Sequence, residues 1–173
     1  MKRGHRSLDL NRNTMLFTRS TVSAKVKAPI DQTFITIAPI HLPLIFTGYG
    51  PLPAVTETRD QIGDWNAPGQ TRTVLLADSS TLKERLNIYI RPTTFAYTVA
   101  NFTGVLNFLV ESAEGEWHFT QTGHWTQIKW IYEFKPKSIL VWPLVVMMAK
   151  LLWQGCMNKA LNLAIDHIQK SEG

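Results

Sequence analysis

Apolar and polar residues alternate with a period of two through most of this chain, then switch to a spacing of three to four near its end. Over residues 18–27, Val22, Ala24 and Val26 fall on one side and Thr21, Ser23, Lys25 and Lys27 on the other, the pattern of a half-buried strand. Ala28-Pro29-Ile30-Asp31 breaks it, and Asp31 is placed to cap a short helix whose Phe34, Ile35 and Ile37 face inward. Pro39, Pro43, Pro51 and Pro53, with Gly48 and Gly50, forbid a long helix before Ala54. One or two helical turns and then a strand over residues 55–61 are expected there.

Strand-like runs follow at residues 71–77, 82–91, 93–102 and 110–122, and another at 125–135 after a turn at Gly123. In the second run Leu82, Glu84, Leu86, Ile88 and Ile90 share a face; in the last, Ile128, Trp130, Tyr132 and Phe134 do. Consecutive runs joined by short turns predict an antiparallel meander covered on one side. From Ser138 the spacing changes: Leu144, Met147, Met148, Leu151, Leu152, Cys156, Ala160, Leu163 and His167 form a helical stripe. One long helix from Trp142 to Lys170 is expected to lay that stripe on the sheet. The reading is α+β, an antiparallel sheet of six to seven strands covered by a long C-terminal helix.

The run from Ile139 to Ala149 is the most apolar in the chain, but it is shorter than the ~18–20 residues of a membrane span. Burial against the sheet is the simplest use for it. Contact with a membrane surface, or a homodimer face, is the alternative, because Val141, Trp142, Val145 and Val146 are apolar beyond the main stripe.

Composition narrows this picture. With 173 residues, 45% of them apolar, the chain has the length of one domain and enough apolar surface for a core without staples. The net charge is +5, and Lys2, Arg3, Arg6 and Arg12 against Asp9 put +3 of it in residues 1–17. These residues read as a basic flexible tail with a weak attraction to anionic surfaces, ahead of a single domain over residues 18–170. Basic residues are not interleaved with aromatics elsewhere, so no nucleic-acid surface is expected. Cys156 is the only cysteine and the five histidines are scattered, which suits a reducing, cytoplasmic setting and gives no metal site. No positive start runs directly into an apolar stretch, so no signal peptide is expected.

Several segments resemble a known family. Val26-Lys27-Ala28-Pro29-Ile30-Asp31-Gln32-Thr33-Phe34 is similar to the strand-to-helix junction of the SRPBCC (START-like) superfamily, in its polyketide cyclase/dehydrase and lipid-transport branch. Gly63-Asp64-Trp65 with Pro68-Gly69-Gln70-Thr71-Arg72 resembles its glycine-containing loop. Leu82-Lys83-Glu84-Arg85-Leu86, Phe95-Ala96-Tyr97 and Thr126-Gln127-Ile128-Lys129-Trp130 resemble its later strands. The likeness covers about residues 18–169. It implies the helix-grip fold, with the sheet curved and wrapped around the long C-terminal helix and a cavity between the two. Asp78-Ser79-Ser80 replaces the family's usual Asp-Gly turn, and the glycine loop lacks the full pattern of the allergen branch, whose ligands are therefore not carried over.

The expected inward set is Trp65, Phe95, Tyr97, Trp117, Phe119, Trp130, Tyr132, Met147, Met148 and Leu151, residues that suit a flat or elongated apolar ligand or simply a packed core. Glu84 is the sharpest position, because its parity turns a carboxylate toward the apolar side. It could orient a ligand hydroxyl, act as a general acid/base, or pair structurally with Arg72 or Tyr97. Tyr97 could donate to a ligand carbonyl, and His41 stands beside the expected cavity mouth as a gate or catalytic candidate. His118 and His124 lack the further ligands of a metal site. No nucleophile-elbow, zinc-protease or phosphate-loop motif is present, and no cofactor is implied. The leading expectation is a binder or carrier of a hydrophobic small molecule. The alternatives are a cyclase/dehydratase-type enzyme using Glu84 with Tyr97 or His41 on a polyketide-like substrate, and a membrane-surface or partner-binding module.

Overall fold

A computed structural model describes residues 17–170; the tail reading for residues 1–16 lies outside the described residues. Seven strands form one antiparallel sheet: β1 (Thr18–Val26), β2 (Val55–Arg59), β3 (Thr71–Leu76), β4 (Thr81–Ile90), β5 (Thr94–Ala100), β6 (Val110–Thr122) and β7 (Trp125–Pro136). Their spatial order is β1-β7-β6-β5-β4-β3-β2, so the meander from β2 to β7 is extended at its far edge by the first strand. Helix α1 (Ile30–Ile37) and a 3-10 turn (Leu42–Leu44) link β1 to β2, a single turn α2 (Leu106–Leu109) precedes β6, and the chain closes with α3 (Trp142–Met148), a π turn (Ala149–Trp153) and α4 (Gln154–Lys170).

Alternation decides which face is buried. Along β7, Thr126, Ile128, Trp130, Tyr132 and Phe134 point into the core while their neighbours do not. Along β1 the inward positions include Thr18 and Ser20 besides Val22 and Val26. Behind them α4 buries Cys156, Met157, Ala160, Leu161, Ala164 and Ile168. The β3–β4 turn dispenses with glycine: Ser79 takes φ 68° while Asp78 Oδ1 accepts from Ser80 N at 3.0 Å and Ser80 Oγ at 2.6 Å.

Four expectations are corrected. Pro29, not Asp31, precedes the first helical residue, and Asp31 instead accepts a hydrogen bond from Arg91 Nε at 3.0 Å. Ile35 is exposed, because α1 has only one face against the sheet, occupied by Thr33, Phe34 and Ile37. In β4 the pairing slips between Leu86 and Ile88, leaving Asn87 as an extra residue. Beyond that bulge the parity reverses, so Ile88 and Ile90 are exposed and Tyr89 packs on Phe34, ring centroids 5.1 Å apart.

The fourth correction concerns the long helix. The five-residue π turn adds a residue to the winding and rotates the segment before it relative to the segment after it. Val145 and Ala149 are therefore the buried positions ahead of α4, while Leu144, Met147 and Leu151 face outward. His167, assigned to the same stripe, is exposed as well. Ser20 Oγ donates to the Ala149 carbonyl at 3.3 Å and Gln154 Nε2 to Thr21 O at 2.7 Å, fixing the turn to β1.

Candidate ligand cavity at one end of the sheet

The middle of the sheet's inner face is filled. Trp117 stacks on Trp130 at 4.4 Å and on Phe95 at 5.6 Å, and Phe119 continues the layer at 6.3 Å from Trp117. These residues are core, and the space left beside Phe95 and Trp117, lined also by Trp65 and Arg72, is only about 20 Å³.

What remains open is a cavity of about 80 Å³ at the β2–β5 end, capped by the 3-10 turn, α2, α3 and the π turn. Its walls are apolar: Leu42, Val55, Val74, Val99, Phe102 and Phe134 are buried around it. Half-buried Leu52, Leu76, Leu82, Leu106 and Met148 stand toward its outer side. The lining residues that carry polar atoms are few, namely Glu84, Tyr97, Tyr132, Cys156 and Trp153, whose buried Nε1 has no hydrogen-bond partner.

Glu84 and Tyr97 each have a structural reason to be there. Glu84 is opposite Arg72 in the β3–β4 register, and Arg72 Nε donates to its Oε2 at 2.6 Å, with side chains 6% and 10% exposed. The guanidinium lies 3.9 Å from the centroid of the Trp65 ring. Trp65 adopts φ 56°, a left-handed conformation costly for a bulky side chain, in a loop clasped by Gln70 Oε1 accepting from Asn66 N at 2.7 Å. The loop thus holds an aromatic lid over the buried cation, and the cation neutralises the carboxylate that faces the cavity.

Tyr97 is admitted by a missing side chain: a Cβ on Gly115, its partner on β6, would stand 2.3 Å from the Tyr97 ring. Burial first, then the Glu84 charge, pushes the Tyr97 hydroxyl well above the usual phenol range, with Trp117 and Arg72 pulling the other way. Tyr132 is pushed up too, by burial and then by Tyr97, Glu84 and Cys156. Both phenols therefore stay protonated, so each keeps an O–H to offer a guest and neither serves as a base. Burial raises the Cys156 thiol to about 11.

Of the residues anticipated from the sequence, Glu84, Tyr97, Tyr132 and Met148 meet at this cavity. Trp65 contributes through Arg72, while Phe95, Trp117, Phe119 and Trp130 build the core beside it. Met147 and Leu151 do not: the π turn carries both to the outer surface. His41 is exposed next to Leu42 and does not line the cavity, and His118 pairs with Glu116 at 3.0 Å on the outer face. Among the described residues no cluster of three or more histidines, cysteines or carboxylates is placed to hold a metal. Sequence reasoning missed Val74, Val99, Phe102, Leu106 and Trp153. Trp153 reaches the cavity because the π turn aims it there, against Tyr132 at 4.7 Å.

The sequence profile of the family described as polyketide cyclase / dehydrase and lipid transport matches residues 18–163. The chain belongs to this family. No curated protein matches it in sequence. Among solved structures it resembles norcoclaurine synthase from Thalictrum flavum, with TM-score 0.69 at 17% identity over 91% of this chain and 98% of that one. It also resembles Ara h 8.0201, with TM-score 0.58 at 15% identity over 89% and 99%. The di-domain ARO/CYC protein BexL of the BE-7585A biosynthetic pathway gives TM-score 0.66 at 15% identity, over 90% of this chain and 51% of BexL. The chain therefore spans about half the length of BexL. At these identities the shared property is the fold: this family member has the helix-grip architecture.

Proposed function

We propose that this chain binds a small hydrophobic molecule carrying one polar end, held in the cavity between β3–β5 and the α3–α4 helix. The observation that carries the reading is the cavity's composition, an apolar space faced by one neutralised carboxylate and two protonated phenols. Burial of apolar surface supplies affinity at ~25 cal/mol per Å², and Glu84, Tyr97 and Tyr132 fix the polar end. About 80 Å³ holds a ring-sized group, and adaptable Met148 with half-buried Leu106 gives room for more. The related norcoclaurine synthase has been solved with dopamine and hydroxybenzaldehyde, both small aromatic molecules. The family's description includes lipid transport.

Cyclase- or dehydratase-type catalysis is the second reading, favoured by Glu84 facing the same space as two donors. The Arg72 hydrogen bond weighs against it, since protonating Glu84 would leave a buried guanidinium beside a neutral acid. Isothermal titration with phenol as probe, a single ring with one hydroxyl, separates the outcomes. Saturable one-to-one binding that survives Glu84→Gln and disappears on filling the cavity is expected. Binding indifferent to cavity filling would overturn the reading. Turnover of a polyketide-like substrate that vanishes in Glu84→Gln would replace it with the catalytic one.

A further inference from the structure

The long helix and the turn before it carry an apolar patch that no part of the described chain covers. Leu140 in the turn before α3, Leu144 and Met147 on α3, and Leu151 on the π turn all stand outward, with Leu140 and Leu151 86% and 67% exposed. Ile139 extends this patch toward α2, where Phe108 is 74% exposed beside Val105. The two segments are tied together: Lys137 N donates to Leu109 O at 3.0 Å and Lys137 Nζ to Asn107 Oδ1 at 3.0 Å. This edge adjoins the cavity, because Leu106 and Met148 line the cavity from the same two helices.

Charge selects the occupant. From residue 134 to residue 165 the sequence holds Lys135, Lys137, Lys150 and Lys159 and no aspartate or glutamate. Lys135 is paired with Glu111 at 2.7 Å and Lys159 donates to Gly48 O at 2.9 Å, so Lys137 and Lys150 are the cations this edge offers. Residues 101–109 hold no charge at all. Lys137 and Lys150 are exposed. A second copy meeting this edge about a two-fold axis would bring Lys137 and Lys150 against their own counterparts, with the nearby Glu111 already engaged by Lys135. An anionic bilayer answers both features, with headgroups for the lysines and an acyl boundary for the leucines.

We propose that this edge, formed by α2, the β7–α3 connection and the outer face of α3 and the π turn, docks on anionic lipid bilayers. The surface assignment stands without the cavity reading; only the corollary that docking turns the cavity's outer side toward the lipid rests on it. Co-sedimentation of the full chain with vesicles of equimolar phosphatidylcholine and phosphatidylserine tests the assignment. Binding is expected to the mixed vesicles, to weaken at high salt, and to fall at least about tenfold with Leu140→Glu and Leu144→Glu together. These exposed substitutions leave probe binding in the cavity unchanged, whereas a cavity-filling variant loses the probe and keeps the vesicles, so failure of either reading is distinguishable. Replacing Lys2, Arg3, Arg6 and Arg12 by glutamine measures what the basic terminus adds. Three results would overturn the proposal: no sedimentation with mixed vesicles, sedimentation that depends on those terminal cations and ignores Leu140 and Leu144, or a sedimentation-velocity dimer that Leu140→Glu dissociates.

Discussion

Filling the cavity gives opposite signs of stability change depending on whether the space is real. Val99 is the position to change: it is buried on β5 and lines the cavity, with the small Ala113 opposite it on β6 and the Arg72-paired Glu84 opposite it on β4, so a larger side chain there enters the space on the Ala113 side. An apolar void destabilises by ~24 cal/mol per Å³, so the 80 Å³ here corresponds to about 2 kcal/mol. Phenylalanine suits a strand and occupies much of that volume. Val99→Phe is expected to stabilise the ligand-free protein by about 1–2 kcal/mol, a rise of roughly 2–8 °C in Tm for a chain of this size. It should simultaneously abolish binding of the phenol probe. Urea and thermal unfolding, each with and without the probe, read both effects. If the walls are instead close-packed, the same substitution overpacks the core and costs about 1–3 kcal/mol. A destabilised variant that still binds the probe would refute the reasoning.

Two further outcomes follow from the same geometry. Arg72→Met strands the Glu84 carboxylate in the interior and should cost about 3–5 kcal/mol, whereas Arg72→Met with Glu84→Leu should recover most of that loss. Urea unfolding of the four proteins in the cycle decides it, and a double variant as unstable as Arg72→Met would show that the pair is not what matters. Burial raises the Cys156 thiol from 9.0 to about 11, so at pH 8 it holds about 100-fold less thiolate than an unperturbed thiol. Alkylation by iodoacetamide at pH 8 should be slower in proportion, rise with pH toward 11, and become fast in urea; labelling of the folded protein at the rate of a free thiol would contradict the burial.

The sheet was largely legible in the sequence because a period of two has only two phases. Once Trp130 is inward on β7, Ile128, Tyr132 and Phe134 must be inward too, and the same logic turned the Glu84 carboxylate toward the core. Reading failed where the backbone inserts one residue. The bulge at Asn87 exchanged Tyr89 for Ile88 and Ile90, and the π turn moved Met147 and Leu151 outside and brought Trp153 in. Neither insertion changes composition, since bulge and π turn are stabilised by distant partners: Thr98 Oγ1 accepts from Asn87 Nδ2 at 2.6 Å, and Ser20 donates to the Ala149 carbonyl. The position of the cavity was illegible for a related reason. Which aromatics stack into core and which leave space depends on ring geometry across β5, β6 and β7, and every one of them has the same inward parity.

Native mass spectrometry of the freshly purified full chain tests most directly whether the cavity holds a guest. The account predicts a population heavier than the 19.7 kDa chain by the mass of one small organic molecule, released on denaturation and absent from Val99→Phe. The bare chain mass in both proteins, unchanged after incubation with phenol, would contradict it.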